Sequence, residues 1–220
     1  MSIFDEPKID CHNHVFDPAR FPYQEGNFYL PAGQELGTPA QFLNVLDAYG
    51  VKHALMVEPN SGYDSDNRCL LDTLARGQGR LKGIAVMPAG GSRGQLEELR
   101  AQGIVGIAFN PALFGVDYYA GAGRLLEWLG ELGMFAQIQV QGDQLPAMQP
   151  LLEGCGARLL FDHCGRPEVA AGLGQPGFAA LLELGRRGNA WVKLSGYVKF
   201  SRQSYPRSEE RRVGKECRSR

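Results

Sequence analysis

Two histidines separated by one residue form the pattern in this sequence with the clearest chemical potential. They close a short apolar run that reads Ile9, Asp10, Cys11, His12, Asn13 and His14. Because side chains alternate between the two faces of a strand, Asp10, His12 and His14 are expected to point the same way. Two imidazoles and a carboxylate would then converge on one small volume. The plainer alternative is a pair of surface histidines in a turn after a strand.

A third histidine has a similar position much later in the chain. His163 follows an apolar run and Asp162, so it ends another predicted strand. In a parallel barrel the carboxyl ends of all strands face one mouth, where active sites of this fold lie. His163 would meet His12 and His14 there, although a histidine bonded only to backbone is the simpler alternative. The fourth histidine, His53, begins a strand and is expected to be structural.

The elements that must position these side chains alternate between strand and helix. Apolar runs predict strands at residues 9–14, 53–57, 81–87, 105–109, 134–140, 158–162 and 190–194. Amphipathic patterns predict helices at residues 39–49, 66–76, 92–102, 123–132, 145–152 and 178–187. This alternation is typical of a parallel α/β barrel or of an open doubly wound sheet. Residues 11–17 contain no glycine for a phosphate loop, and polar residues follow nearly every strand, which favours the barrel.

Composition excludes several classes of function. With 44% hydrophobic and 21% charged residues, the 220-residue chain is neither disordered nor fibrous. A net charge of -1 provides no field for nucleic acid or an anionic membrane, so a small-molecule partner is expected. No apolar run approaches the roughly 18 to 20 residues of a membrane span, and residues 1–8 lack a signal-peptide pattern. A cytoplasmic location is therefore expected.

Four stretches of the sequence resemble one enzyme family. They are DCHNHVFDP, YDSDNRCLLDTL, FDHCGRP and WVKLSGYVKFS. They are similar to the amidohydrolase-related (amidohydrolase 2) TIM-barrel hydrolases, in particular the 2-pyrone-4,6-dicarboxylate lactonase-like branch. The resemblance implies a (β/α)8 barrel of the metal-dependent hydrolase superfamily that hydrolyses a lactone or related cyclic carbonyl compound. An aspartate after the eighth strand would activate water, while His12, His14 and His163 polarise the carbonyl and stabilise the oxyanion.

The fifth strand departs from the metal-dependent members of this superfamily. Those members add a histidine or a modified lysine there, whereas residues 135–140 offer only Gln137 and Gln139. Because catalytic zinc takes about three protein ligands, a site without a metal cofactor is favoured. The alternative is a metal-dependent amidohydrolase or decarboxylase with zinc or manganese on His12, His14 and a distal carboxylate.

Polar residues at or just after strand ends are the predicted substrate contacts. The candidates are Ser61, Tyr63, Asn110 and Gln139. Each could instead serve only its own loop or strand. Relatives that bind dicarboxylates carry arginines on the fourth strand, which is apolar here; Arg202 or Arg166 could still pair with one carboxylate, or be a solvated loop residue. The expected substrate is a carboxylated lactone.

The last residues of the sequence break the strand and helix pattern. After Pro206 the chain is dense in charge, and SEERRVGKECRSR resembles translated sequencing-adapter sequence. We expect an incomplete barrel domain at residues 1–206, truncated after its seventh strand, and a non-native tail at residues 207–220. The base aspartate of the eighth strand would then be missing. An inactive fragment or a binding protein is accordingly the remaining alternative, and the pattern does not indicate an oligomeric state.

Overall fold

In the part of the chain that the structure describes, seven parallel strands form a single sheet whose order follows the chain. The structure, a computed structural model, describes residues 6–201. Arg202 and the tail at residues 207–220 therefore lie outside the described residues. The strands are β1 Lys8–Asn13, β2 Val51–Val57, β3 Leu81–Ala85, β4 Ile104–Phe109, β5 Phe135–Ile138, β6 Arg158–Phe161 and β7 Ala190–Val192.

At least one helix lies between each strand and the next, as the amphipathic pattern predicts. The helices are α1 Pro39–Ala48, α2 Arg68–Arg76, α3 Arg93–Ala101, α4 Pro111–Phe114, α5 Gly123–Glu131, α6 Gln144–Leu152 and α7 Pro176–Arg186. Side-chain caps begin three of them: Thr38 accepts from the backbone of Gln41, Ser92 from that of Gln95 and Asn110 from that of Leu113. The six predicted helices are confirmed to within a few residues, whereas the single-turn helix α4 was not predicted.

The hydrophobic core lies between the sheet and these helices. Buried members include Leu46 on α1, Ile107 on β4 and Leu125 on α5. The alternation of side chains along a strand explains which residues face away from this core. On β5, Ala136 and Ile138 belong to it, so Gln137 between them points to the opposite, inner face of the sheet. That inner face carries the polar residues that matter below.

The sheet curls until its first and last strands approach each other. Within residues 6–201, β1 pairs only with β2 and β7 only with β6. The Nζ atom of Lys193, just after β7, nevertheless lies 3.0 Å from Nδ1 of His12 on β1. The outer faces of these edges are open to solvent: Ile9 is 64% exposed and Leu194 is 67% exposed. The observed architecture is thus a curled, parallel, seven-stranded α/β half-barrel.

No helix in the described part of the chain combines the length and the apolar character that crossing a membrane requires.

Candidate active site

The structure brings the three predicted histidines together at the carboxyl ends of the strands. The ring centroids of His12 and His14 are 5.0 Å apart, and those of His12 and His163 are 4.8 Å apart. His53, near the start of β2, lies outside this cluster at the other end of the strand. The alternation of β1 and the shared mouth of parallel strands therefore predict the placement of all three imidazoles.

His14 is held by a backbone carbonyl. Its Nδ1 lies 2.8 Å from the carbonyl oxygen of Val57, at the end of β2. Because a carbonyl only accepts, Nδ1 of His14 donates this hydrogen bond. Desolvation, reinforced by the neighbouring His12, lowers the pKa of His14 to about 4. The ring is therefore neutral at pH 7, and its Nε2, 3.3 Å from Nε2 of His12, carries a lone pair.

A buried charged network that the sequence analysis missed lies beneath the histidines. Lys193 Nζ lies 2.6 Å from Oε1 of Gln137, 3.0 Å from Nδ1 of His12 and 3.1 Å from Oδ1 of Asp162. Only 5% of the Lys193 side chain and 3% of that of Asp162 are exposed. Gln137 also donates to Oδ2 of Asp162 at 2.9 Å. These residues form a closed arrangement of donors and acceptors, which we call the lysine network (Lys193, Asp162, Gln137 and His12).

Contacts within the lysine network shift the pKa values of Asp162 and Lys193. Burial alone would raise the pKa of Asp162, but the nearby His12 and the charge of Lys193 hold it below its usual value. Burial lowers the pKa of Lys193, and Asp162 opposes that shift. A sequence signal did exist, because a lysine stands between Val192 and Leu194 at the end of an apolar strand.

His163 is held by strained backbone and by a partner from the next strand. Three residues of its segment, His163, Cys164 and Arg166, adopt left-handed φ angles of 51°, 57° and 46°. Its Nδ1 lies 3.0 Å from Oγ of Ser195. Gly196, with φ of 69°, passes so close that a Cβ there would fall 2.4 Å from the imidazole. Such backbone is retained only where its surroundings over-determine it, which is common at functional sites.

A cavity of about 370 Å³ is lined by His12 and His14, whereas His163 lies next to His12 and is not part of the lining. This size suits a small organic molecule. Three of the predicted substrate contacts line it, namely Ser61, Asn110 and Gln139, together with Arg166. Asn110 donates from Nδ2 to Oδ1 of Asn60 at 2.9 Å, so one amide of the lining is already oriented. Phe28, from the long segment before α1, also lines the cavity.

Tyr63 does not line this cavity, contrary to its prediction as a substrate contact. Its side chain is fully buried, and its hydroxyl accepts a 2.9 Å hydrogen bond from the backbone of Asp17. Its ring packs against those of Phe16 and Tyr23. Burial raises the pKa of its phenol. Tyr63 therefore anchors the segment that follows β1 and has no route to a ligand in the cavity.

Two carboxyl groups line the cavity, and neither is a free base. Asp162 is bound within the lysine network, as described above. Glu58 is only 3% exposed, and burial raises its pKa well above the usual value, with the charge of Asp66 acting in the same direction. Burial therefore favours the neutral form of the Glu58 carboxyl group. The described lining offers imidazoles, amides and the guanidinium of Arg166, but no free carboxylate.

Within residues 6–201, the group of donors that could hold a metal ion is His12, Asp162 and His163, whose ligand atoms lie within 4.8 Å of one another. Lys193, however, already places an ammonium 3.1 Å from the only carboxylate of that set. A divalent ion would have to compete with this buried cation for the same oxygen. The donor set therefore fits a metal ion poorly.

A curled parallel sheet with imidazoles at the carboxyl ends of its strands is the arrangement found in α/β-barrel enzymes. The amidohydrolase family model matches residues 9–216, and the chain belongs to that family.

The curated relatives that the chain matches are longer than the chain. It is 30% identical to the 4-sulfomuconolactone hydrolase of Hydrogenophaga intermedia, over 89% of this chain and 64% of that protein. It is 31% identical to the 4-sulfomuconolactone hydrolase of Rhizobium radiobacter, over 90% of this chain and 66% of that protein. The chain thus spans about two thirds of the length of these relatives.

A solved structure matches in fold as well as in sequence. It is that of a probable 2-pyrone-4,6-dicarboxylic acid hydrolase from Acinetobacter baumannii with citric acid bound. The TM-score is 0.75 and the identity 28%, covering 87% of this chain and 71% of that one.

Proposed function

We propose that this protein is a lactonase, an enzyme that opens the ring of a carboxylated lactone by hydrolysis. The observation that carries the proposal is the cluster of His12, His14 and His163 at the edge of a cavity of small-molecule size. Relatives named as lactone hydrolases supply the reaction class.

In the proposed reaction, the oxygen of a water molecule attacks the lactone carbonyl carbon. The new C–O bond forms as the carbonyl π pair moves onto oxygen, and the resulting oxyanion is stabilised by imidazole N–H groups. Collapse of this intermediate breaks the ring C–O bond. The base takes one proton from the attacking water, and that proton is returned to the departing alkoxide, which leaves a hydroxy acid. Preorganised donors of this kind typically contribute a factor of about 10² to 10³ each to the rate.

The base that activates water is proposed to come from outside the described residues. Neither Glu58 nor Asp162 is available, for the reasons given above. The resemblance implies an aspartate at the end of an eighth strand, which would also pair with the free edges of β1 and β7. The greater length of the curated relatives supports a barrel with such a strand. We therefore propose that this chain represents an eight-stranded barrel that lacks its last strand.

The substrate is proposed to carry at least one carboxylate near Arg166. This arginine lines the cavity, and its Nε is buried with no hydrogen-bond partner among the residues that the structure describes. An unpartnered guanidinium N–H is costly unless a ligand binds it, and a carboxylate is its natural partner. Ser61, Asn110 and Gln139 would orient the uncharged part of the molecule. Arg202, the other arginine predicted for this role, lies outside the described residues.

We propose hydrolysis without a metal ion. The buried ammonium of Lys193 beside Asp162 supports this, because it supplies locally the positive charge that a metal would bring. The alternative remains a zinc- or manganese-dependent amidohydrolase or decarboxylase. Elemental analysis of purified protein, with activity before and after chelation, distinguishes the two. Stoichiometric metal together with loss of activity on chelation would reject the metal-free reaction.

The test of the proposed function is an assay with lactones of mono- and dicarboxylic acids, recorded as acid release. It should use both this chain and a chain extended by whatever the locus encodes after Pro206. We expect ordinary turnover in the extended chain and a loss of roughly 10² to 10⁴-fold in this one, the range for a missing general base.

A matched pair of histidine variants completes this assay. His163→Ala should abolish most of the activity of the extended chain, whereas His53→Ala, at the other end of the barrel, should leave it unchanged. Tight lactone binding without turnover in the extended chain would favour a binding protein instead.

A further inference from the structure

A continuous line of polar contacts runs from Lys193 across both histidines of the HxH pair. Lys193 Nζ lies 3.0 Å from Nδ1 of His12. Nε2 of His12 lies 3.3 Å from Nε2 of His14. Nδ1 of His14 lies 2.8 Å from the carbonyl oxygen of Val57. Each of these contacts is favourable only when exactly one hydrogen lies between the two atoms.

The two ends of this line fix where the hydrogens are. The carbonyl of Val57 only accepts, so His14 carries its hydrogen on Nδ1 and its Nε2 is a bare acceptor. An ammonium only donates, so Lys193 requires a lone pair on Nδ1 of His12. The hydrogen of a neutral His12 must then be on Nε2, which is the donor that His14 needs. Both ends independently require the same tautomer of His12.

Asp162 exerts the opposite preference on His12. Its Oδ1 lies 3.3 Å from Nδ1 of His12 and would accept a hydrogen from that nitrogen. Lys193 is closer to Nδ1 and lies 3.1 Å from the same carboxylate oxygen. Its remaining contact, to Gln137 Oε1, orients the ammonium. The carboxylate of Asp162 favours the charged form of Lys193. Asp162 therefore strengthens the hydrogen-bond donor that faces Nδ1 of His12, although Asp162 alone would favour a hydrogen on that nitrogen.

We propose that Lys193 is a positioning residue that fixes His12 as the Nε2–H tautomer and thereby gives the two histidines of the pair opposite roles. Without a ligand, the single Nε2–H of His12 is donated to Nε2 of His14. A bound carbonyl oxygen would accept that same hydrogen instead, and Nε2 of His14 would remain an acceptor. The assignment of a carbonyl oxygen as the partner rests on the proposed lactone hydrolysis. The tautomers themselves follow from the contacts within the chain.

Nitrogen-15 NMR of histidine-labelled protein tests this assignment without any substrate. Long-range proton–nitrogen correlations distinguish a protonated ring nitrogen from a bare one. His12→Gln and His14→Gln variants assign the signals, and His53 serves as an internal reference. We expect Nε2–H at His12 and Nδ1–H at His14 in the unmodified chain at neutral pH.

Two lysine variants then separate tautomer control from general support. In Lys193→Met the donor is lost while Asp162 remains, so the hydrogen of His12 should move to Nδ1 and His14 should keep its state. In Lys193→Arg a donor is retained, and both rings should keep their original tautomers. A merely structural lysine would alter stability in both variants without this selective change at one ring.

The unmodified protein alone can overturn the proposal, which matters if Lys193→Met fails to fold. Nδ1–H at His12 in that spectrum would reject it, as would an unchanged tautomer in a folded Lys193→Met variant. Because no substrate is present, failure of the lactonase assay leaves this result intact. Conversely, lactonase activity together with Nδ1–H at His12 would support the proposed function and reject the proposed role of Lys193.

Discussion

The two sides of the histidine cluster are held in contrasting ways. His14, after β1, follows backbone without left-handed φ angles, although the pairing of β1 with β2 shifts register between Asp10 and Asn13. Its Nδ1 is held by the neighbouring carbonyl of Val57. His163, after β6, depends on left-handed backbone, on Ser195 and on the missing side chain of Gly196. The imidazole of His14 needs few contacts to hold its position, whereas that of His163 depends on several residues acting together. We therefore expect the His163 side to be the more sensitive to substitution.

The largest loss of stability is expected from substitution of Asp162, which contacts Lys193 and His12 and immediately precedes His163. Asp162→Ala leaves the ammonium of Lys193 buried without its carboxylate, and loss of one partner of a buried pair costs about 3–5 kcal/mol. Urea denaturation measures this change in the free energy of unfolding. Glu97→Ala, which removes an exposed ion pair with Arg93, is the control and should cost less than about 1 kcal/mol. Equal losses in the two variants would contradict the buried network.

The next largest effect should be confined to the His163 side. Gly196→Ala places a methyl group against the imidazole at a left-handed φ, for which we expect a loss of about 1–3 kcal/mol. The control is Gly185→Ala within α7, where nothing lies near the added methyl group. Alanine is the better helix former, so that change should stabilise the protein by up to about 1 kcal/mol. Two losses of similar size would show that Gly196 has no special role.

Ser195→Ala sharpens the comparison further. It removes the hydroxyl 3.0 Å from Nδ1 of His163 but leaves the backbone in place. A lost hydrogen bond of this kind costs about 0.5–1.5 kcal/mol. Thermal denaturation of Ser195→Ala beside Gly196→Ala separates the contribution of the hydrogen bond from that of the close backbone approach. A larger loss for Ser195→Ala than for Gly196→Ala would reverse this ranking.

The smallest effect is a pH dependence on the His14 side. The pKa of His14 is about 4 in the fold against 6.5 in the unfolded chain, so the unfolded chain binds the proton more readily. Its contribution to stability is complete above pH 6.5 and is lost as the pH falls toward 4. Protein atoms around the ring desolvate it, but the residue as a whole is still exposed at the mouth, and solvent screening there keeps the effect small. Urea denaturation at pH 7 and pH 5 should show a smaller difference in His14→Asn than in the unmodified chain, whereas His53→Asn should not change it.

Much of this molecule is readable from local sequence pattern. Strand and helix positions follow from apolar periodicity, and β1 alternation places His12 and His14 on one face. The helix α4 was missed because a single turn begun by the Asn110 cap has too few residues to show a period. Tyr63 was misjudged because a residue that follows a strand end can turn into the core as easily as toward the mouth.

The parts that could not be predicted depend on contacts between distant residues. Lys193 and His12 are 181 positions apart, and only the curl of the whole sheet brings them together. A lysine at the end of an apolar strand reads locally as a solvated residue. Asp162 was passed over for a similar reason, since its meaning depends on the lysine that neutralises it.

The meeting of β1 and β7 also has a consequence for how the molecule folds. Each strand pairs with the one that follows it, so most of the sheet can grow through contacts between neighbouring segments. The contact that joins Lys193 to His12 closes a loop of nearly the whole chain. The entropy cost of closing so long a loop makes this contact form late and slowly during folding. We expect a refolding intermediate with a formed sheet and unpaired histidines, in which the pocket is the last part to mature.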